Sequence, residues 1–435
     1  MKRSWQALGL GATLDILVAV AACSDRTPSS ESTPPAPAPL ATGTASALPG
    51  SLQQMLEDMA TVRKLSPPPD LKAELVARSE LRELLDRLLT NDDRRWFANT
   101  TTLYRLLGHL RRDQDYQTVW NSFGSDSVLG LYSPVDNQLW VVHDDGAAVD
   151  FDHLPRQERD TLAHELVHAL QDYHFQLDKV YERIVDDLDR NLAWTAVVEG
   201  DAVTHEAFYR QRFTAIPSPA GRVFFVAAFG QSSDVPPSIE RELYFPYTAG
   251  AAWIRSIVEN TGTRAVDAML ADPPAGTSFV LHPELRDSGW QPSRVVLPDI
   301  SRALGDGWTR QSGGTWGEFG LQNYLLLRIR GLDATNAANG WSGDHYDVYV
   351  NAAESVAVFR VRFRDPAEAR EFAGAQQSFL RAARATLSTE SGVSLWETPD
   401  GNVTATIAPS GDEVIFTIGS ASDAAQRALR AIVNG

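Results

Sequence analysis

From residue 51 onward the chain switches between two hydrophobic rhythms. Residues 51–64 carry apolar positions at helical spacing and predict a short amphipathic helix, stopped by Ser66 and Pro67–Pro69. Leu71, Leu75, Val76, Leu81, Leu84, Leu85 and Leu88 continue that spacing and predict a helix up to Thr90. A further helix is expected over 92–111, with Phe97, Leu103, Leu106 and Leu107 facing inward. Between 127 and 143 two β-prone runs flank the turn-rich Ser133-Pro134-Val135-Asp136-Asn137, the pattern of a hairpin. Helical periodicity returns over 155–185, 188–212 and 247–261. Past 290 the rhythms mix. A helix at 316–330 precedes strands at 346–350 and 355–364 and a helix at 366–387. Strands at 393–397, 403–408 and 413–418 then lead to a last helix at 421–433. The expected fold is therefore α+β: a mainly helical core with an edge hairpin over 51–290, and an α+β module over 291–435.

The front of the chain reads differently. Lys2 and Arg3 precede a mostly apolar stretch, Leu8–Ala22, too short to span a bilayer comfortably and interrupted by Asp15. Residues 1–22 are read as a secretory signal. Val20-Ala21-Ala22-Cys23 resembles a bacterial lipobox, which implies that Cys23 becomes the lipidated first residue of the mature chain. Residues 23–50 hold Ser, Thr, Pro, Ala and Gly with almost no large apolar side chains, and are expected to form a flexible tether. The expected location is an exported domain, anchored to the cell envelope by N-terminal lipid alone. No later hydrophobic run is long enough for a second membrane segment.

Composition narrows the chemistry. The 435 residues suggest two to three domains. A net charge of -17, with 56 acidic against 39 basic residues, argues against nonspecific nucleic-acid binding, which needs a cationic face. A single cysteine excludes a disulfide framework and a cysteine-rich zinc site, so a metal site would have to be built from the 9 histidines and the carboxylates.

His164-Glu165-Leu166-Val167-His168 is an H-E-x-x-H sequence. On a helix, residues four apart share a face, so His164 and His168 can offer two imidazole nitrogens to one metal ion, with Glu165 on the adjoining edge as general base. The flanking residues contain no Pro or Gly, and Leu162, Leu166, Ala169 and Leu170 give the helix a face to bury. A catalytic site needs a third protein ligand, and Glu199, on the expected second helix, is the best candidate, with His205 as a rival. Nitrogen and carboxylate donors point to one Zn2+. Gly200 beside Glu199 suggests that its helix approaches the metal helix closely. Asp172, four residues after His168, and Asp201, two after Glu199, are candidate acceptors for a ligand imidazole N–H. His174 is expected to pack or to face water.

The two His and one Glu resemble the ligand set of the gluzincins, the thermolysin-like metallopeptidases. The metzincin pattern is absent, since Gln171 stands where it needs glycine and His174 falls one position early. The resemblance implies an edge strand beside the metal helix that pairs with an extended peptide, a role open to the 128–142 hairpin. It also implies a His or Tyr that stabilises the oxyanion, with His282 and Tyr247 as candidates. Thermolysin-like enzymes carry an orienting Asp four positions after the ligand Glu; here that position is Val203.

Several segments together resemble a family of exported bacterial H-E-x-x-H proteins. They are Tyr104–Gly108, Gly130–Val142, Thr161–Phe175, Val198–Ala202, Phe245–Gly250, Asp272–Glu284 and Gly340–Asp344. The resemblance spans most of residues 75–375 and implies a gluzincin-like fold. Trp341 and Asp344 are otherwise read as turn and core residues of the last module. The expectation is a membrane-anchored extracytoplasmic zinc metallopeptidase acting on a peptide or protein. The alternatives are an inactive metal scaffold that binds a protein partner, and an amidase or other hydrolase acting on cell-wall material.

Overall fold

The computed structural model describes residues 17–20, 46–125, 128–143, 153, 156–213, 235–390 and 392–434. The expected lipidation site Cys23, most of the leader and most of the tether lie outside them. Among the described residues, no helix is long and apolar enough to cross a membrane.

The fold is mixed α+β, with two sheets and a largely helical middle. Helix α1 (Gly50–Arg63) buries Leu52, Met55, Leu56 and Met59 and ends where Lys64 turns left-handed, ahead of the prolines. The expected helix over 71–90 is instead strand β3 (Lys72–Ala77), a short 3-10 turn and helix α2 (Leu81–Leu88). Leu71, Leu75 and Val76 fit either period over so few residues, and a non-local partner decides: β3 runs parallel to β5. Helix α3 (Asn91–Leu107) starts on a Thr90–Asp93 capping box and stops at left-handed Gly108. Helix α4 (Tyr116–Ser125) leads to the expected hairpin, β4 (Val128–Ser133) and β5 (Gln138–His143). With β1 (Leu17–Val20) and β2 (Ser46–Ala47) these strands form a five-stranded sheet in the order β1-β4-β5-β3-β2. Strand β1 pairs antiparallel with β4.

Helix α5 (Arg156–Phe175) lies against β4, and helix α7 (Leu188–Phe213) packs on α5, with the short α6 (Leu177–Glu182) between them in sequence. The middle of α7, from Ala193 to Ala202, is buried at every position but the half-buried Thr195, and it carries two carboxylates, Glu199 and Asp201. Helix α8 (Pro237–Phe245), a π-helical turn at Pro246–Gly250 and helix α9 (Ala251–Thr261) follow one another directly, and the turn and α9 pack against α7. Helices α10 (Arg264–Ala271) and α11 (Ser278–Leu281) complete this layer.

The C-terminal part is a seven-stranded antiparallel sheet in the order β6-β7-β8-β12-β11-β10-β9. Its strands are β6 (Thr309–Gly314), β7 (Trp341–Val350), β8 (Ser355–Phe363), β9 (Thr386–Glu390), β10 (Val393–Glu397), β11 (Val403–Thr406) and β12 (Glu413–Gly419). Helices α12 (Ser301–Leu304), α13 (Gly317–Leu325), α14 (Gly331–Asn339), α15 (Pro366–Ala382) and α16 (Ser422–Asn434) accompany it. Strands β6 and β9 escaped the sequence reading because they are polar, and β9 is an exposed edge. Trp341 and Asp344 sit in β7, not in a turn.

One hydrophobic cluster crosses the expected boundary at residue 290. Phe97, Leu103, Leu107 and Val119 pack with Tyr324, Phe359, Phe372 and Phe416. Buried Asp344 adds a polar tie within the C-terminal part, accepting from Trp316 N, Gly317 N and Trp341 Nε1 at 2.8, 2.9 and 2.8 Å.

Candidate metal centre

Helix α5 carries the H-E-x-x-H residues in its enclosed middle, where His164, Glu165 and His168 are at most 1% exposed. Four-residue spacing places the two imidazoles on one face, with ring centroids 4.7 Å apart. Packing of α7 on α5 brings Glu199 to that face. Its Oε2 lies 3.1 Å from His164 Nε2 and 3.6 Å from His168 Nε2. One ligand atom from each of the three residues lies within 4.8 Å of the others, so this buried group could hold a metal ion.

The donor set fits a cation on a second count. His168 Nε2 is buried without a hydrogen-bond partner, an expensive arrangement unless its lone pair serves another ligand. The electrostatics agree. Burial alone would lower the pKa of His164, but bonds to Glu199 and Glu206 outweigh it and raise it to about 10. Burial would raise that of Glu199, yet the two imidazoles bring it down to about 2. His168 is lowered, chiefly by burial. The carboxylates thus favour positive charge at His164, while burial keeps His168 toward its neutral form.

The surrounding groups differ from the expected ones. Gln171, one turn beyond His168, presents Oε1 to His168 Nδ1 at 2.8 Å. Glu206 Oε2 faces His164 Nδ1 at 3.4 Å, and its other oxygen takes Arg210 at 3.2 Å. Asp172 does not reach an imidazole: it accepts from Tyr132 Oη (2.9 Å) and from Leu177 N (3.0 Å), closing the junction between α5 and α6. Burial raises its pKa to about 6. Asp201 also misses the ligand rings; it accepts from Gln171 Nε2 at 2.8 Å and pairs with Arg63 and His205. His205 is therefore held by Asp201 and stands outside the trio. His174 lies at the surface, against Ser66. The signals for Gln171 and Glu206 were only their spacings, three residues after His168 and seven after Glu199, and many polar helix residues share such spacings.

Glu165 turns to strand β4, which lies between β1 and β5 in the sheet. Its Oε2 accepts from Tyr132 N at 3.0 Å. Gly130 on β4 makes room for it, since a Cβ there would lie 3.0 Å from Glu165 Cγ. Tyr247, on the π-helical turn, lies over His164 with ring centroids 6.3 Å apart and planes 26° apart. Its hydroxyl donates to Glu199, and burial, followed by that carboxylate, pushes its pKa well up. His282 is bound elsewhere: among the described residues Nε2 meets Glu318 at 2.7 Å and Nδ1 faces Glu284 at 3.8 Å. The Gly200 expectation is also corrected. That glycine opens α7 to the π-helical turn and not to α5, because a Cβ on it would lie 2.7 Å from Gly250 O.

A family model described as a domain of unknown function, DUF8575, matches residues 302–429, the stretch holding the seven-stranded sheet. No curated protein and no solved structure matches the chain.

Proposed function

We propose that this chain is a zinc-dependent metallopeptidase with a zincin-like core, exported and anchored through lipid on Cys23. The observation that carries the reading is the convergence of His164, His168 and Glu199 within 4.8 Å, with Glu165 next in the same helix and bonded to the main chain of β4. Bound zinc would supply Lewis acidity toward a carbonyl oxygen and toward water. Glu165 then serves as general base, taking the proton of the attacking water on its carboxylate and passing it to the leaving amine. Tyr247, already a donor at Glu199, offers its O–H to the developing oxyanion. Gln171 and Glu206 meet Nδ1 of His168 and His164, so Nε2 of each would be the atom that holds a bound ion.

The side of β4 on which β1 adds supports a peptide as substrate. The four residues of β1 add to β4 antiparallel, beside α5, as an extended peptide would. The full burial of Glu165 favours a second reading, a metal-bearing scaffold that binds a protein partner without cleaving it. One experiment separates the two. The zinc-loaded protein is incubated with denatured casein, beside its Glu165→Ala variant. Cleavage by wild type alone, with zinc retained in both, is expected. No cleavage by either favours the scaffold, and equal cleavage by both removes Glu165 as base. Loss of zinc from Glu199→Ala tests the third ligand.

A further inference from the structure

We propose that Arg63 is a positioning residue for His168, acting through Asp201 and Gln171 to hold the imidazole in the tautomer that leaves Nε2 free for a cation. The inference rests on the metal-site reading above and assigns a part of that site to the N-terminal helix.

The chain of contacts starts at the last residue of α1. Arg63 is fully buried, and its Nε donates to Asp201 Oδ2 at 2.7 Å while Nη2 donates to Asp267 Oδ1 at 2.5 Å. Asp201 Oδ2 also receives Gln171 Nε2 at 2.8 Å. The same Gln171 nitrogen donates to the main-chain carbonyl of Val198 at 3.0 Å. Both amide hydrogens thus meet oxygens that can only accept: a carboxylate tied to a guanidinium, and a peptide carbonyl. Turning the amide over would set Oε1 against two acceptors, so Oε1 must face His168 Nδ1, as it does at 2.8 Å. A carbonyl oxygen only accepts, so the ring proton resides on Nδ1. Nε2 is left with its lone pair, buried, unpartnered and 3.6 Å from Glu199 Oε2.

Arg63 is the charge at the far end of this chain. Asp201 and Gln171 are both 0% exposed, so no bulk water replaces a lost partner. Without the guanidinium, Asp201 is a buried carboxylate left with His205 as its remaining partner, and the oxygen that fixes the amide loses its tie to α1. The outer partner of His168 is therefore a neutral amide whose direction is set by an ion pair from another helix.

The test compares wild type with Arg63→Met, Arg63→Lys and Gln171→Met. Zinc affinity is measured by competition with a chelator, and the His168 tautomer by two-bond 1H–15N correlation on metal-free protein labelled with 15N-histidine. The wild type should show His168 protonated on Nδ1. Arg63→Met and Gln171→Met should lose that signature and bind zinc about 10- to 100-fold more weakly, the usual cost of losing an outer partner of a ligand. Arg63→Lys should recover most of both. A lower melting temperature in Arg63→Met with unchanged zinc affinity and an unchanged His168 spectrum would reduce Arg63 to a structural residue and overturn the proposal. If Arg63→Met does not fold, Gln171→Met breaks the same chain one link closer, and an unchanged tautomer there is equally fatal. Failure of wild type to take up zinc would sink the metal reading, while the tautomer comparison in metal-free protein would still decide this one.

Discussion

Gly200→Ala sets two effects of opposite sign against each other. In a helix interior, alanine is favoured over glycine by about 1 kcal/mol. At Gly200, however, a Cβ would stand 2.7 Å from Gly250 O, 2.8 Å from Gly250 C and 2.8 Å from Ile254 Cγ1. Carbon contacts settle near 3.5–4.0 Å, so the neighbours must retreat by about 1 Å. Two of the three atoms are main chain of the π-helical turn and cannot rotate aside. The turn cannot yield freely either, because Gly250 is itself pressed on Ala196, and a Cβ there would lie 2.6 Å from Ala196 O. Overpacking of this kind costs about 1–3 kcal/mol, so set against the helix gain it should leave a net loss of up to about 2 kcal/mol. Gly374 supplies the control: it lies exposed on α15 with nothing within 4 Å of an added Cβ. Gly374→Ala should stabilise by about 1 kcal/mol. Urea unfolding, with m unchanged, reads both effects. Because Glu199 and Tyr247 lie on the two parted segments, Gly200→Ala should also weaken zinc binding, and Gly374→Ala should not. If the two variants were stabilised alike, the close helix contact would be refuted.

Asp344→Ala strips the acceptor from Trp316 N, Gly317 N and Trp341 Nε1. At about 1–3 kcal/mol for each of three buried unmet donors, a total loss of at least about 3 kcal/mol in urea unfolding is expected, and a loss below about 1 kcal/mol would contradict the assignment. Glu206→Ala should weaken zinc binding about 10-fold with little effect on global unfolding, since it removes the group facing His164 Nδ1; equal affinity in a chelator competition would dismiss that role. His109 governs an acid limb of stability: burial, helped by Arg241, lowers its pKa to about 3 from an ordinary 6.5. Between pH 6.5 and 3 the unfolded chain takes a proton that the folded one refuses, so this group withdraws up to about 1.4 kcal/mol per pH unit as pH falls. Buried Glu242 and Asp344, each raised to about 6, act oppositely, favouring the fold at low pH and losing that contribution as pH rises toward 6. The difference between wild type and His109→Phe isolates the histidine, and parallel pH profiles would show that it does not titrate as described.

Much of the chemistry was legible in order along the chain. His164, Glu165 and His168 could be placed on one helix face because a helix is periodic and local, and the same logic marked α1, α3 and α7 close to their observed limits. The hairpin was legible from its turn residues. Tertiary packing decided what local spacing leaves open. Leu75 and Val76 satisfy a helical pattern, yet pairing with β5 makes them part of a strand. Asp172 and Asp201 have the spacing of imidazole partners, yet the crossing of α5 and α7 gives that place to Gln171 and Glu206. Arg63 and Asp201 are 138 residues apart, and no periodicity connects them. The sequence alone determined which groups can bind a cation, because donor type and helical spacing are local properties. Only the folded structure decided which distant groups hold those ligands in place, because buried polar partners are chosen by the packing of whole elements against one another.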